Sequence, residues 1–427
     1  MLKGECRVAG DKSISHRAIM LASIATGWSR IHGFLEADDA ISTLNAFRAM
    51  GVEIVVPRRG ELAIEGRGLN GLKAPENPLD LGNSGTSMRL LCGLLAGQEF
   101  DSVLVGDASL SRRPMQRVTR PLALMGGKID SSDQGTAPLY IHGGQHLSGI
   151  EYESPVSSAQ VKSCLLLAGL YAHGSTCITE PAVTRDHTET MLRGFSYPLQ
   201  QQGNRVCLTG RNRLIATEIY VPADISSAAF FMVGASIAQD SDVLLSHVGI
   251  NPARIGIIHI LKRMGANIEL SNTREAGGEA VADIRVKSSA LQGIRIPEQY
   301  VPLAIDEFPV LFIAAACADG VTVLSGAREL RVKESDRIQG MLDGLLELGV
   351  DAEATDDGMV IRGGDLRGGE IDSHGDHRIA MAFAIAALRA REDILIRDCA
   401  NVDTSFPGFA EMAQSLGLKI SCEESRQ

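Results

Sequence analysis

Six copies of one pattern run through this chain, and an internal repeat constrains a fold more strongly than any single motif. In each copy, a cluster of small polar residues leads into an apolar run that stops near a glycine or a charged turn. The six copies are GDKSISHRAIMLASIATG, GNSGTSMRLLCGLLAG, PVSSAQVKSCLLLAGLYAHG, PADISSAAFFMVGASIA, PLAIDEFPVLFIAAACADG and HGDHRIAMAFAIAAL. Markers at Lys12, Asn83, Ser157, Asp224, Asp306 and Asp376 are spaced by 71, 74, 67, 82 and 70 residues, each close to one sixth of the 427-residue chain.

The second half of each copy repeats as well. A short β-like run such as SVLVGD or VTVLSGA follows the apolar helix, and a second, amphipathic helix usually ends in a hydrophobe and a glycine, as at Met125-Gly126. Glycine just past a helix is typical of a left-handed cap. Each copy therefore predicts a β-α-β-α-β unit whose first helix is buried and whose second helix faces solvent. Six units predict two domains of three, with a boundary near residue 222.

Charge and cysteine content limit the possible partners. Forty-one basic and 52 acidic residues leave a net charge of −11, which argues against binding to nucleic acid or to a membrane surface. No uncharged apolar stretch approaches the ~18 residues that span a bilayer. The eight cysteines are scattered and show no zinc-site spacing, so we expect reduced thiols and a cytoplasmic protein without a disulfide framework.

The polar leaders that open the six buried helices carry the candidate functional residues. Helix N-termini present free N–H groups and a positive dipole end, which together favour anions. For any single Ser, Thr, Asn or Asp, ordinary helix capping explains the residue equally well. Lys12 and Arg17 oppose the helix dipole, so a bound anion explains them better than stability does. Taken alone, Arg337 fits a solvated helix face, and His187 and His377 fit structural roles.

Two carboxylates among these cations could carry proton-transfer chemistry. Asp306 precedes a buried helix, where it could also be a simple cap. Glu334 lies between Lys333 and Arg337 in RVKESDR. Carboxylates surrounded by cations act as acids or bases when their pKa values are tuned.

The leaders and connections resemble the motifs of the 5-enolpyruvylshikimate-3-phosphate synthase family over essentially the whole chain. The shared motifs, in family order, are GDKSISHR, LGNSGTSMR, SLSRRPM, SSAQVKS, RDHTE, DISSAAF, IDEFP, RVKESDR, GDHRIAMAF and TSFP. The resemblance implies an inside-out α/β barrel of two domains, each with three β-α-β-α-β-β repeats. The expected domains are residues 10–222, and 1–9 together with 223–427, with the active site in the cleft between them.

The resemblance also implies an activity. Family members transfer the enolpyruvyl group of phosphoenolpyruvate to the 5-hydroxyl of shikimate 3-phosphate without a metal or organic cofactor, and they are targets of glyphosate. We expect a cytoplasmic monomer that binds these small anions and neither nucleic acid nor membrane. The residues matching the shikimate 3-phosphate site are Lys12, Ser13, Arg17, Ser158, Ala159, Gln160, Arg185, Asp306 and Lys333. Those expected at phosphoenolpyruvate are Lys12, Asn83, Gly85, Thr86, Arg113, Gln160, Glu334, Arg337, His377 and Arg378.

The same resemblance assigns the proton transfers to three groups. Asp306 matches the acceptor of the hydroxyl proton, Glu334 matches the group that protonates the enol carbon, and Lys12 touches both substrates. Which of the three handles each proton stays open.

This chain departs from the enterobacterial type at three positions. Thr404 replaces a lysine before the SFP sequence, Glu329 replaces an asparagine, and Leu90 replaces a proline. Gly85 keeps the small residue that leaves room for glyphosate, so we expect inhibition by that compound.

Two other classes of function compete with this interpretation. A sister enzyme acting on UDP-N-acetylglucosamine shares the fold and donor, but it carries a reactive cysteine where this chain has GDASLSRRPM. A non-catalytic anion-binding protein on the same scaffold would not need Asp306, Glu334 and Lys333 together.

Overall fold

The computed structural model describes residues 1–423 and shows a mixed α/β protein built from repeated units. No helix in that range is both long and apolar enough to span a membrane. The α-helices within these residues are α1 (Lys12–Ile24), α2 (Asp38–Ala49), α3 (Gly85–Leu95), α4 (Gln116–Leu124), α5 (Ala159–Gly169), α6 (His187–Gly194), α7 (Ile225–Ile237), α8 (Gly256–Arg263), α9 (Phe308–Ala316), α10 (Arg337–Glu347), α11 (His377–Ala386) and α12 (Phe409–Ser415).

The β-strands are short, and each lies in a small sheet. They are β1 (Lys3–Cys6), β2 (Thr26–His32), β3 (Glu53–Arg58), β4 (Glu61–Arg67), β5 (Leu79–Asp80), β6 (Ser102–Val105), β7 (Lys128–Asp130), β8 (Leu139–His142), β9 (Glu151–Glu153), β10 (Ser175–Thr179), β11 (Leu199–Gln202), β12 (Arg205–Thr209), β13 (Glu218–Tyr220), β14 (Asp242–Gly249), β15 (Asn267–Ala276), β16 (Glu279–Lys287), β17 (Val321–Leu324), β18 (Asp351–Ala354), β19 (Met359–Arg362), β20 (Gly369–Asp372) and β21 (Ile394–Arg397).

Contacts between residues divide the chain into two compact units. The N-terminal unit comprises Gly10–Val221 with Ala276–Gly278, and the C-terminal unit comprises Met1–Ala9, Pro222–Glu275 and the chain from Glu279 onward. Each unit has its own hydrophobic core.

The three sheets of the N-terminal unit share one strand order. They are β13-β2-β4-β3, β5-β6-β8-β7 and β9-β10-β12-β11. In each sheet the first two strands are parallel, while the remaining neighbours are antiparallel. A helix connects the parallel strands in the second and third sheets, as parallel pairing requires. Three copies of one β-α-β-α-β-β unit therefore build this half of the protein.

Two strands are exchanged between repeats. Strand β1 precedes α1 in the chain, yet it pairs in parallel with β14 in the C-terminal unit. Strand β13 precedes α7, yet it pairs in parallel with β2 in the N-terminal unit. The chain consequently passes from one unit to the other after Ala9 and again after Val221.

The sheets of the C-terminal unit are less uniform. The first, β1-β14-β16-β15, has the same four-strand order, while the others are β17-β19-β18 and the parallel pair β20-β21. In the β17-β19-β18 sheet, isolated parallel bridges such as Arg295 to Val323 take the place of the first, parallel strand of the four-stranded sheets.

The first helix of each repeat is buried on almost every side, as the sequence predicts. These inner helices are α1, α3, α5, α7, α9 and α11, and within each unit they pack together while the small sheets lie outside them. The predicted inside-out arrangement of helices and sheets is confirmed. Side chains cap five of these helices, namely Asp11, Ser84, Ser158, Asp224 and Asp376. Asp306 does not cap α9, whose N-cap position is Glu307.

One expectation about cysteine is wrong. Cys177 on β10 and Cys207 on β12 form a disulfide, with 4.1 Å between their Cα atoms. Antiparallel register places the two residues directly opposite each other. Because 30 residues separate them in the sequence, no short motif signals the pair.

A glycine at the contact between α3 and α5 provides a test of the packing of the inner helices. A Cβ atom added at Gly93 would lie 2.0 Å from the backbone oxygen of Cys164. We expect Gly93→Ala to destabilise the protein by about 3 kcal/mol, because backbone must move to admit the methyl group. Gly194 in α6 is exposed, and its added Cβ meets no atom within 4 Å. The control Gly194→Ala should therefore be neutral or stabilising by up to about 1 kcal/mol. Thermal unfolding of both variants measures the difference, and equal midpoints would contradict the close approach.

Candidate active site

The leader of α1 holds two cations by different means. The Lys12 ammonium lies 2.9 Å from the Asp39 carboxylate at the start of α2. The guanidinium of Arg17 is buried and donates to the hydroxyls of Thr188 and Ser163, at 2.7 Å each, and to the Ser13 carbonyl at 2.9 Å. These contacts partly offset the free-energy cost of placing cations at a helix N-terminus. The sequence did not indicate these partners.

A second cluster surrounds the start of α3. Arg113 donates to the Asn83 side chain at 2.6 Å, and Arg89 donates to Gln160 at 2.7 Å. The amide of Gln160 donates in turn to Thr86 at 3.1 Å. A Cβ added at Gly85 would lie 3.0 Å from Arg113 and 3.1 Å from Arg89. The backbone at Gly85 therefore lies beside two guanidinium groups, at the positive end of the α3 dipole, an arrangement suited to an anion.

The third leader joins residues from two connections. Ser158 caps α5, and Ala159 and Gln160 begin that helix. The backbone N–H of Ser158 donates to the carboxylate of Glu180, which follows β10. Arg185 is half-buried two residues before α6.

In the C-terminal unit, Arg337 is the centre of a charged cluster. Its buried guanidinium lies 2.8 Å from Asp376, 2.6 Å from Glu334 and 3.5 Å from Asp306. Burial alone would lower the pKa of Arg337, but Asp376 and Glu334 raise it above its ordinary value. The solvated face expected for Arg337 in isolation is wrong, because its side chain is only 1% exposed.

The backbone and side chain of Asp306 are held from several directions. Lys333 lies 3.4 Å from its carboxylate, and Arg378 donates to its backbone carbonyl at 3.0 Å. The next residue, Glu307, is buried and accepts a hydrogen bond from Ser226 at the start of α7. Arg254 donates to the same Ser226 hydroxyl at 2.7 Å. Asp306 is thus anchored to the starts of α7, α10 and α11.

The remaining predicted and divergent residues have definite places. His377 is buried as the first residue of α11. The hydroxyl of Thr404 donates to the Asn401 carbonyl at 2.6 Å. Leu90 is fully buried in the N-terminal core, so this departure from the enterobacterial type changes packing. Glu329 is half-buried in the 3₁₀ helix Arg328–Val332.

Two residues near these clusters were missed from the sequence. Arg89 lies four positions after Gly85, and helical spacing was the signal that could have found it. His16 is fully buried, with Nδ1 2.8 Å from the Thr43 hydroxyl and 3.2 Å from that of Ser87. Burial, and then the charges of Lys12 and Arg17, hold the pKa of His16 well below its ordinary value, so its imidazole is neutral.

Within residues 1–423, the His, Cys, Asp and Glu side chains form no group of three or more that could hold a metal ion. The chemistry available from the described clusters is anion binding by Arg and Lys, with proton transfer by carboxylates.

The fold and the clusters define a class: a protein of two repeated α/β units that concentrates cations and paired carboxylates at the starts of buried helices. Residues 1–412 match the family model described as EPSP synthase (3-phosphoshikimate 1-carboxyvinyltransferase). A relative from Methylococcus capsulatus, named 3-phosphoshikimate 1-carboxyvinyltransferase, is 67% identical over 419 residues, covering 98% of this chain and 96% of the relative. One of the same name from Alkalilimnicola ehrlichii is 65% identical over 421 residues, covering 98% and 94%.

Solved structures agree with the sequence relatives. The structure of EPSP synthase from Acinetobacter baumannii has a TM-score of 0.89 and 57% identity, covering 99% of this chain and 97% of that one. The enolpyruvyl transferase NikO from Streptomyces tendae has a TM-score of 0.80 at 16% identity, covering 98% and 95%, which is a likeness of fold alone. The chain belongs to the EPSP synthase family, and the resemblance seen in its motifs is confirmed.

Asp376 gives this site a predicted dependence on pH. Burial would raise the pKa of Asp376, but Arg337 lowers it below its ordinary value. The carboxylate therefore stabilises the fold above the ordinary pKa of about 3.9, and this contribution is lost as the pH falls through the lower folded value. Asp376→Asn should cost about 3 kcal/mol near pH 7, and the gap to wild type should shrink as the pH falls below about 4.

Thermal unfolding at several pH values measures this gap. Asp351, whose pair with Arg362 is exposed, provides the matched control, and Asp351→Asn should change stability by less than about 1 kcal/mol. A gap for Asp376→Asn that stays constant between pH 7 and 3.5 would contradict the assignment.

Proposed function

We propose that this protein transfers the enolpyruvyl group of phosphoenolpyruvate to the 5-hydroxyl of shikimate 3-phosphate. The products are 5-enolpyruvylshikimate 3-phosphate and inorganic phosphate, a step in the synthesis of chorismate and the aromatic amino acids. Two relatives that are 67% and 65% identical to this chain over nearly their whole length are named for this activity.

The observation that carries the proposal is the pair of carboxylates held by one buried guanidinium. Arg337 contacts Glu334 and Asp306 through its two terminal nitrogens, and Lys333 lies 3.4 Å from the same Asp306 oxygen that Arg337 contacts. Two carboxylates in fixed positions can supply one proton and accept another in the same reaction. A protein that only bound anions would gain nothing from placing acids beside its cations.

The proposed steps balance around these groups. Glu334 donates a proton to the methylene carbon of phosphoenolpyruvate, which makes the neighbouring carbon cation-like. The 5-oxygen of shikimate 3-phosphate bonds to that carbon as Asp306 accepts the hydroxyl proton, giving a tetrahedral ketal. The bond to phosphate then breaks, and the departing phosphate takes up the proton held by Asp306. Glu334 takes back a proton from the methyl group as the carbon–carbon double bond forms again. Lys12 shares in the proton transfers.

We assign substrate binding to charged and polar residues at the starts of the inner helices and in the connections between elements. We propose that shikimate 3-phosphate is held by Lys12, Ser13, Arg17, Ser158, Ala159, Gln160, Arg185, Asp306 and Lys333. For phosphoenolpyruvate the proposed set is Lys12, Asn83, Gly85, Thr86, Arg113, Gln160, Glu334, Arg337, His377 and Arg378. Support comes from the contacts Asn83–Arg113, Thr86–Gln160 and Arg337–Asp306, which join members of these sets.

The proposed residues come from both compact units, so both must act on the same pair of substrates. We take these units as the two domains, residues 10–222, and 1–9 with 223–427. We place the protein in the cytoplasm, because phosphate esters are charged and are retained inside cells.

The choice of acceptor tests the assignment directly. With phosphoenolpyruvate as donor, we expect phosphate release when shikimate 3-phosphate is added and none with UDP-N-acetylglucosamine. The expected acceptor is the one for which relatives at 67% and 65% identity are named. Failure of both acceptors to support turnover would refute the assignment, and turnover with the nucleotide sugar alone would favour the sister enzyme.

The Asp306→Ala variant tests the role of Asp306 in the same assay. It removes the proposed base but leaves Lys333 and Arg337 in place, so it should abolish turnover and retain binding of shikimate 3-phosphate by calorimetry. Full activity would remove Asp306 from the reaction.

Inhibition by glyphosate is expected to depend on Gly85. A methyl group there would press on Arg113 and Arg89, whose guanidiniums can shift only by giving up their present geometry. Wild type should be inhibited by millimolar glyphosate, whereas Gly85→Ala should lose inhibition by about tenfold or more and show a higher KM for phosphoenolpyruvate. Gly194→Ala is the matched control and should respond as wild type. An uninhibited wild-type enzyme would overturn the expectation.

A further inference from the structure

A buried charged cluster lies beside the proposed shikimate 3-phosphate residues but belongs to none of the sets above. The Lys162 ammonium on α5 lies 2.8 Å from the Glu180 carboxylate and 2.8 Å from that of Glu189 on α6. The three side chains are at most 5% exposed. Apolar residues of similar size often stabilise a protein as well as buried ions do, so stability is a weak explanation for this cluster.

Glu180 connects the cluster to two substrate loops. One carboxylate oxygen accepts the backbone N–H of Ser158 at 3.0 Å. The Thr184 hydroxyl lies 2.9 Å and 2.8 Å from the two oxygens. Ser158 begins the stretch that leads into α5, and Thr184 immediately precedes Arg185. One side chain therefore ties together two segments that carry proposed phosphate-binding groups.

The charge of Glu180 also needs explanation, because a carboxylate near a phosphate would repel it. The ammonium of Lys162 opposes that repulsion, and the Ser158 N–H and the Thr184 hydroxyl occupy the carboxylate oxygens of Glu180. What remains is the geometry that Glu180 imposes on the two loops.

We propose that Glu180 is a positioning residue for the 3-phosphate of shikimate 3-phosphate, acting through Ser158 and the Thr184–Arg185 segment. Lys162 is its buried counter-ion. This inference rests on the proposed function. It concerns only the phosphate end of the acceptor, and the group that reacts with phosphoenolpyruvate is not involved.

The test compares phosphorylated with unphosphorylated acceptor. Glu180→Gln keeps the reach of the side chain but places an amide against Lys162. We expect its Kd and KM for shikimate 3-phosphate to rise about tenfold, while kcat, the KM for phosphoenolpyruvate and the Kd for shikimate stay within about twofold. Thr184→Val, which preserves shape and the ion pairs, should raise the same KM about threefold and serves if Glu180→Gln folds poorly.

Glu189→Gln is the matched control, because Glu189 is equally buried and shares Lys162. It should lower the thermal midpoint without changing the Kd for shikimate 3-phosphate by more than about twofold. The proposal is overturned if Glu189→Gln weakens binding as much as Glu180→Gln does. It is also overturned if Glu180→Gln weakens shikimate and shikimate 3-phosphate equally. Wild-type turnover with normal binding by Glu180→Gln would reject only this inference, whereas a wild type that binds no shikimate 3-phosphate would reject both proposals.

Discussion

A helix that is apolar on every side can begin only where its free N–H groups find partners, and six such helices form the centres of the two units. An unpaired buried N–H group costs as much as a lost hydrogen bond, so each helix start must be polar within an apolar core. Asp11, Ser84, Ser158, Asp224 and Asp376 meet this need as caps. The same requirement concentrates dipoles, N–H groups and polar side chains at a few points, and those points are where an anion is most readily held. The scaffold and the proposed site therefore follow from one constraint.

The protein stabilises its buried cations in two ways. Arg17 is bound by hydroxyls and a carbonyl, whereas Arg337 contacts three carboxylates and Lys162 contacts two. A cation bound by neutral groups keeps its charge available to a substrate. A cation bound by carboxylates mainly fixes their positions, so Arg337 orients the acids beside it, in addition to the contact with phosphoenolpyruvate that we propose for it.

Much of the fold could be predicted because its causes are local in sequence. The repeat spacing predicted the inner helices and their burial, and the family motifs predicted the family. The partners were not predictable, because they depend on register and packing between distant segments. Asp39 faces Lys12 across two helices, Thr188 lies 171 residues from Arg17, and Cys207 faces Cys177 only through strand pairing. Arg337 was misjudged for the same reason, since helical spacing reveals neighbours on its own helix and Asp376 lies on another.

Each of the two units contains a buried glutamate that connects a buried charged side chain to a segment with proposed substrate residues. In the N-terminal unit, Glu180 joins Lys162 to the residues around Ser158. In the C-terminal unit, Glu307 directly follows Asp306 in the chain and joins it to the Arg254–Ser226 contact. Each glutamate is nearly inaccessible, and each lies one contact or one peptide bond from a proposed substrate residue. Buried ionic networks are an inefficient source of stability but a strict source of geometry, because losing one partner leaves a charge uncompensated. Enolpyruvyl transfer requires such fixed geometry, because a proton donor, a proton acceptor and two multiply charged anions must be correctly positioned at the same time.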